Sequence, residues 1–204
     1  MLFRSARRVS STPERFDLRG IRPQPWKNGA GVTREIAVGP QGAGVGEFDW
    51  RFSLAEVERD APFSVFPGVD RCIVLLRGAG MRLRSDGGEL DHRLGQALVP
   101  FHFSGDTPLT ATLIDGPSSD FNVMTRRGAW TADVTTRRSA FEQPSADVTL
   151  LLCGEGEWRV TGPSPETLGP MQALLWRGPT PRIGATPQPA GALLLVRLCH
   201  DRRP

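Results

Sequence analysis

Three short segments of the chain carry side chains suited to holding a small anion. In Phe48-Asp49-Trp50-Arg51-Phe52-Ser53-Leu54 apolar and polar residues alternate. The two-residue period of a strand sets Phe48, Trp50, Phe52 and Leu54 on one face and Asp49, Arg51 and Ser53 on the other. One face is core; the other meets solvent or lines a wetted cavity. The segment Asp120-Phe121-Asn122-Val123-Met124-Thr125-Arg126 alternates too, grouping Asp120, Asn122, Met124 and Arg126. A face that mixes amide, thioether and guanidinium is odd for plain solvent exposure. A third strand, Thr33 to Val38, puts Arg34, Ile36 and Val38 on one side. Arg34, Arg51 and Arg126 are therefore candidates to recognise a carboxylate, because a guanidinium fork meets two oxygens at once. The competing expectation is that each pairs with a neighbouring Asp or Glu at the surface.

Other chemistries lack their residues. None of the three histidines, His92, His102 and His200, stands in an H-x-H or E-x-x-H arrangement, so the sequence implies no metal site and no cofactor. No Gly-x-Ser-x-Gly elbow occurs, and Ser53 and Ser64 have no local partner, so no catalytic residue is assigned. Acid/base work by Asp49, Asp70, Asp106 or Asp120 stays open beside the alternative of solvated or ion-paired carboxylates. Cys72, Cys153 and Cys199 form neither an even framework nor a C-x-x-C pair and are expected to be buried free thiols of a reducing compartment.

The scaffold that positions these strands must be rich in turns. Of 204 residues, 23 are Gly and 18 are Pro, about a fifth of the chain against a usual ~12%. That excludes a helical bundle. The glycines keep no triplet period and apolar runs such as Ile73 to Leu76 and Leu193 to Val196 recur, which excludes a collagenous or disordered chain. An internal echo organises the runs: Leu75-Leu76-Arg77-Gly78-Ala79-Gly80 returns as Leu151-Leu152-Cys153-Gly154-Glu155-Gly156, and Gln96-Ala97-Leu98 returns as Gln172-Ala173-Leu174, both at a shift of 76 residues. Each copy reads as strand, Gly-x-Gly turn, strand, loop and two further strands, with the glycines at corners of a tightly bent sheet. No helix-period segment follows either Gly-x-Gly, so the dinucleotide fingerprint fails. Pro67-Gly68 reads as a type II turn. Thr131 to Asp147 is expected to link the copies, and Thr161 to Pro170 to be a surface connection. The pattern implies an all-β chain of two small barrels or sandwiches.

Charge adds exclusions. The formal net charge is +3, from 25 basic and 22 acidic residues. The Arg pairs, such as Arg7-Arg8 and Arg126-Arg127, are scattered, so no nucleic-acid partner is expected. No apolar stretch approaches a membrane span. Met1 to Arg8 lacks the apolar core of a secretion signal, and the expected location is cytoplasmic.

Five motifs then suggest a family. The string Pro25-Trp26-Lys27-Asn28-Gly29-Ala30-Gly31-Val32-Thr33-Arg34-Glu35-Ile36-Ala37, with Trp50 to Ala55, Phe63 to Arg71, Phe103 to Asp106 and Asp120 to Met124, resembles the signature of the HutD/Ves family. Ala30 stands where that family commonly shows a third Gly. The resemblance implies a bicupin, two fused cupin or jelly-roll barrels with few short helices, divided here as 1–130, which carries most of the motifs, and 131–204. It also implies a role beside histidine degradation, in which the protein binds urocanate or N-formylglutamate and restrains histidine utilisation; the Ves branch is instead described as stress-induced. Many cupins hold a metal on His and Glu, ligands that this chain lacks, so the implied barrel is metal-free.

A pocket for either ligand needs a cation, amide groups and an apolar wall. The candidate ligand-binding residues are Trp26, Lys27, Asn28, Arg34, Arg51, Ser53, Phe66, Asp70, Phe121, Asn122, Met124 and Arg126. Trp26 could equally be a rim or core anchor, and Phe66 and Phe121 ordinary core. Gly29 and Gly31 would let backbone N–H groups approach the ligand, or simply close a hairpin. Lys27 is the single lysine beside 24 arginines and lies inside the longest motif. The expected partner is thus a small carboxylate, with room for a homodimer. A cupin enzyme, an isomerase or hydrolase with a carboxylate base, and a protein-interaction module are the alternatives.

Overall fold

The computed structural model describes residues 12–201, so the reading of Met1 to Arg8 lies outside the described residues. In chain order the strands are β1 (Glu14–Asp17), β2 (Gln24–Pro25), β3 (Gly31–Gly39), β4 (Trp50–Val57), β5 (Ala61–Phe63), β6 (Val69–Arg77), β7 (Met81–Ser85), β8 (Asp91–Leu94), β9 (Pro100–Ser104), β10 (Leu109–Leu113), β11 (Ser118–Arg126), β12 (Trp130–Arg137), β13 (Phe141–Gln143), β14 (Val148–Thr161), β15 (Glu166–Leu168), β16 (Gln172–Arg177) and β17 (Ile183–His200). A single turn of 3-10 helix, Leu18–Gly20, follows β1. The protein is all-β, as expected. It divides into two units, one built on residues 18–132 and one on residues 133–200 with β1.

In the unit of residues 18–132, six strands form an antiparallel sheet in the order β2-β3-β4-β11-β6-β9, and four form a second sheet in the order β5-β10-β7-β8. Residues directly opposite across an antiparallel pair share a face. Met124 lies opposite Arg51 and Arg71, Asn122 opposite Ser53 and Ile73, and Asp120 opposite Ala55 and Leu75. This face therefore grades from polar to apolar along the strands. Its apolar end, with Val57, Ile73 and Leu75, packs on Met81, Leu83, Leu94, Leu109 and Ala111 of the smaller sheet. Each fully buried large side chain there contributes roughly 1.5–3 kcal/mol. The opposite face is apolar and buried, with Trp50, Phe52, Leu54, Cys72, Val74, Phe121 and Val123; Phe52 and Phe121 stack with centroids 6.2 Å apart.

Two details of strand parity differ from the sequence reading. A bulge between Glu35 and Ala37 shifts the register of β3, so Arg34 lies opposite Leu54 whereas Val38 lies opposite Arg51. Arg34 and Val38 thus face opposite ways. Phe48 precedes β4 and joins Val38, Val69 and Met124 instead of the Trp50-Phe52-Leu54 face, because Asp49 donates its N–H to the Gly39 carbonyl and the regular pleat begins only at Trp50.

The Gly-x-Gly echo resolves into two devices. Gly78 and Gly80, with φ of 90° and 89°, turn the chain from β6 into β7. A Cβ on Gly80 would lie 1.8 Å from the Leu94 carbonyl oxygen, so only glycine fits. Its counterpart is no turn: β14 runs straight through Cys153 to Gly156, absorbing the sequence as register shifts between Cys153 and Glu155 and between Gly156 and Trp158. A second corner repeats as backbone geometry. Leu98 and Met171 both have positive φ, and their N–H groups donate to Leu75 and Cys153 carbonyls at 2.8 and 2.9 Å.

The unit of residues 133–200 is one sheet in the order β1-β16-β14-β17-β12, with β13 on β17 and β15 on β14. The expected link from Thr131 to Asp147 is not a plain connection, since it contains β13 and most of β12. Thr161 to Pro170, read as a surface connection, contributes β15. The core is filled by Leu151, Cys153, Trp158, Leu174, Trp176, Leu193 and Leu195. Cys72 and Cys153 are buried free thiols, whereas Cys199, expected to be buried, is exposed; it stands at the end of β17, beyond the run from Ala192 to Val196 whose two faces are both buried.

Candidate functional site

The polar end of the graded face opens into a cavity of about 660 Å³ in the unit of residues 18–132, lined among others by Trp26, Lys27, Asn28, Thr33, Arg51, Ser53, Phe63, Ser64, Phe66, Arg71, Asp120, Asn122 and Met124. Its volume suits a small molecule. The floor comes from β4, β6 and β11, whose inward residues in the rows nearest the opening are Arg51, Arg71, Ser53, Asn122 and Met124. One wall is the loop before β3. There the Trp26 N–H donates to the Gly31 carbonyl at 2.9 Å and the Gly29 N–H returns to Trp26 at 3.0 Å, while the Asn28 Oδ1 accepts from the Ala30 N–H at 3.0 Å. The left-handed φ falls on Gly29, at 66°, so Ala30 in place of a glycine is accommodated. The Trp26 indole is anchored by its Nε1–H, which donates to Thr33 Oγ1 at 2.8 Å.

Two guanidiniums are buried in the floor: Arg51 is 7% exposed and Arg71 6%. Arg71 donates from Nη2 to Asn122 Oδ1 at 2.8 Å and from Nη1 to the Ser64 carbonyl at 3.3 Å. Its charge lies over the rings of Phe103, Phe63 and Phe66 at 4.9, 5.3 and 5.5 Å. The Arg71 Nε is buried with no partner. Arg51 pairs through Nε with Glu35 Oε2 at 2.9 Å, which leaves both Nη groups without a partner among the described residues. Asn122 completes a relay, donating from Nδ2 to Asp120 Oδ1. Asp120 is fully buried, flanked by Ala55 and Leu75, and its Oδ2 has no partner. Burial pushes its carboxyl up to about 7, against the opposing pull of Arg71 and the Asn122 hydrogen bond. Burial likewise lowers Arg71 to about 10, with Asp120 opposing and Arg51 adding to the fall. Arg71 stays charged at neutral pH.

Eight of the twelve expected residues line this cavity: Trp26, Lys27, Asn28, Arg51, Ser53, Phe66, Asn122 and Met124. Four lie elsewhere. Arg34, on the opposite face, pairs with Glu56 at 3.2 Å and donates to the Ile21 carbonyl. Asp70 is exposed and pairs with Arg127 at 2.8 Å. Phe121 lies opposite Leu54 and is fully buried core. Arg126 is spent on backbone, donating to the Gly46 and Phe48 carbonyls at 3.0 and 3.1 Å, which pins the loop between β3 and β4 whose Val45 reaches the cavity rim. Sequence reasoning missed Arg71 as a recognition group. The signal was present, because the parity of Arg71-Cys72-Ile73-Val74-Leu75 puts the guanidinium on one face with Ile73 and Leu75, too apolar a strand for a surface Arg.

The arrangement suits an anion. A carboxylate could receive the Arg51 Nη groups as charge-assisted hydrogen bonds, with the charge of Arg71 beside it, Asn28, Ser53 and Asn122 for a further polar group and Trp26, Phe63, Phe66 and Met124 as apolar walls. It does not suit a cation: the lining holds no histidine, cysteine or glutamate, and its one carboxylate lies beside two guanidiniums. Among the described residues no group of three or more His, Cys, Asp or Glu is gathered anywhere.

Known proteins place this geometry in context. The family model named HutD matches residues 19–195. A protein called Ves from Cronobacter sakazakii is 36% identical over 165 residues, covering 80% of this chain and 87% of that protein. The solved structure of HutD from Pseudomonas fluorescens SBW25 superimposes with a TM-score of 0.81 at 31% identity, covering 93% of this chain and 99% of the other. At the level of fold alone, a cupin barrel protein from Leptotrichia buccalis matches with a TM-score of 0.57 at 8% identity, covering 90% of this chain and 95% of that one. The chain therefore has a cupin-like fold and belongs to the HutD family.

Proposed function

We propose that this protein is a metal-free, cytoplasmic bicupin that binds a small carboxylate of histidine catabolism, urocanate or N-formylglutamate, and modulates histidine utilisation. The observation that carries the reading is the pair of buried arginines, Arg51 and Arg71, lining one cavity in which the Arg51 Nη groups have no partner among the described residues. A carboxylate on the floor would accept from the Arg51 Nη groups and lie beside the Arg71 charge. The aromatic wall suits the flat body of urocanate, and the amides at Asn28 and Asn122 suit its ring nitrogens or the formamide of N-formylglutamate. Family membership supports the association with histidine utilisation. In the unit of residues 133–200 Trp158 and Trp176 fill the core, so a single ligand per chain, held at Arg51 and Arg71, is the expected stoichiometry.

Thermal melts with each compound test this. Binding to the folded state alone stabilises by about 2.7 kcal/mol at a ligand concentration a hundredfold above Kd, so the midpoint should climb with concentration for one of the two. It should not climb in Arg51→Ala. A flat midpoint for both compounds at millimolar concentration overturns the ligand assignment. A second reading, a cupin enzyme, is favoured by one observation: Asp120 holds its proton near neutrality, the range in which a carboxyl serves as a general acid or base. Conversion of either compound, followed by NMR, would move the assignment to it.

A further inference from the structure

We propose that capture of a carboxylate by Arg51 and Arg71 is coupled to uptake of one proton by Asp120, so that ligand and proton bind together. The inference rests on the carboxylate reading above and adds to it the charge state in which the site accepts its ligand. Its basis is geometric. Asp120 lies beneath the two guanidiniums but touches neither; its one hydrogen bond comes from the neutral amide of Asn122, which in turn accepts from Arg71. Its other oxygen, Oδ2, has no partner, and its cross-strand neighbours are Ala55 and Leu75. A carboxylate in that place is favoured in its ionised form by the field of Arg71 and the Asn122 hydrogen bond, and by little else.

Among the described residues, the charges that face it are few. They are Arg71 on β6, Arg51 on β4 with its partner Glu35 on β3, and Lys27 on the rim. On its own strand, Arg126 is occupied by the Gly46 and Phe48 carbonyls. No histidine lines the cavity. With Asp120 and Glu35 ionised, the two acids cancel the two guanidiniums, and the floor has no net charge with which to attract an anion. A bound carboxylate would also offset the Arg71 charge that favours the ionised form of Asp120 and add a like charge nearby, and both effects favour protonation. A solvent proton then joins Oδ2, the ligand's negative charge takes the place of Asp120's, and the buried charge stays balanced with no bond to the ligand made or broken. The free site titrates close to neutrality, so the coupling falls in an accessible pH range.

Calorimetry on the intact protein measures the proton directly. Cinnamate, the phenyl counterpart of urocanate's flat acrylate, and N-formylglutamate are the probes, because neither titrates between pH 6 and 8.5. At pH 8, comparing HEPES with Tris should show close to one proton taken up per ligand bound, falling toward none at pH 6, and Kd should rise by about tenfold per pH unit above neutrality. Asp120→Asn should abolish the uptake, flatten the pH dependence and bind more tightly than the native protein at pH 8. Binding at pH 8 with no proton taken up overturns the coupling and leaves the carboxylate reading standing, and this measurement needs no variant. Uptake that persists in Asp120→Asn assigns the proton to another group and also overturns it. Failure of both probes and of urocanate to bind at any pH removes the carboxylate reading and the coupling together.

Discussion

Replacing Asp120 with Asn isolates the energetic consequence of a carboxyl buried among apolar neighbours. In the folded chain this group titrates at about 7, raised from an ordinary 3.8. A raised carboxyl means that the folded state binds the proton more tightly than the unfolded one, so stability falls as pH rises from about 4 to about 7 and is level above. The full penalty is on the order of 4 kcal/mol, of which about 3 kcal/mol develops between pH 5 and pH 8. Asn keeps the oxygen that accepts from Asn122 but puts an NH2 where Oδ2 has no partner, a fixed cost of about 1–3 kcal/mol at every pH. The fixed cost cancels in the difference between two pH values. Urea melts of both proteins at pH 5 and pH 8 should therefore show the native chain losing about 3 kcal/mol relative to Asp120→Asn across that interval. The opposite contribution of His92, whose imidazole is lowered by burial, is common to both proteins, and Asp106, lowered to about 2 by the Gly68 N–H and Arg127, titrates below the interval. Parallel pH profiles would refute the placement of Asp120 as an unsolvated acid.

Three other perturbations follow from the same geometry. Arg71→Met keeps the apolar stem against Phe63, Phe66 and Phe103 but removes the charge, so affinity for the carboxylate should fall by about 2–5 kcal/mol, thirtyfold or more; calorimetry showing a change under threefold contradicts the role of Arg71. Arg34→Ala and Asp70→Asn, whose partners Glu56 and Arg127 lie outside the cavity, should leave Kd within about twofold, whereas the notion of an arginine triad would have Arg34 matter as much as Arg51. Gly80→Ala should cost more than about 3 kcal/mol in denaturant melts, because a Cβ at φ 89° would meet the Leu94 carbonyl at 1.8 Å; a fully stable variant would show that this corner can relax.

What could be read before the structure was the parity of single strands. Alternation placed Arg51 with Ser53, and Asp120 with Asn122 and Met124, on common faces, and cross-strand register brings those faces together. The failures have local causes. Arg34 was grouped with Val38 because a bulge of one residue, invisible in a run of alternating side chains, reverses the pleat between them. Phe121 lies on the other face, as the same alternation that groups Asp120 with Asn122 requires. Arg71 stands on an apolar strand, where burial is its signal, unlike the arginines of the polar strands whose alternation marks them. The Gly-x-Gly echo marked true close approaches, but identical letters serve as a turn in one unit and as bulges in an unbroken strand in the other. What sequence leaves out is how neighbouring strands are registered, and the cavity exists only because three of them are.

The most direct test is a crystal structure of the protein grown with N-formylglutamate and with urocanate. Density for a carboxylate within hydrogen-bond distance of the Arg51 Nη groups and beside the Arg71 guanidinium, with the rest of the ligand against Trp26, Phe63 and Phe66, is the predicted result. A ligand seated elsewhere, or a cavity that holds only solvent at saturating concentration, would contradict the account.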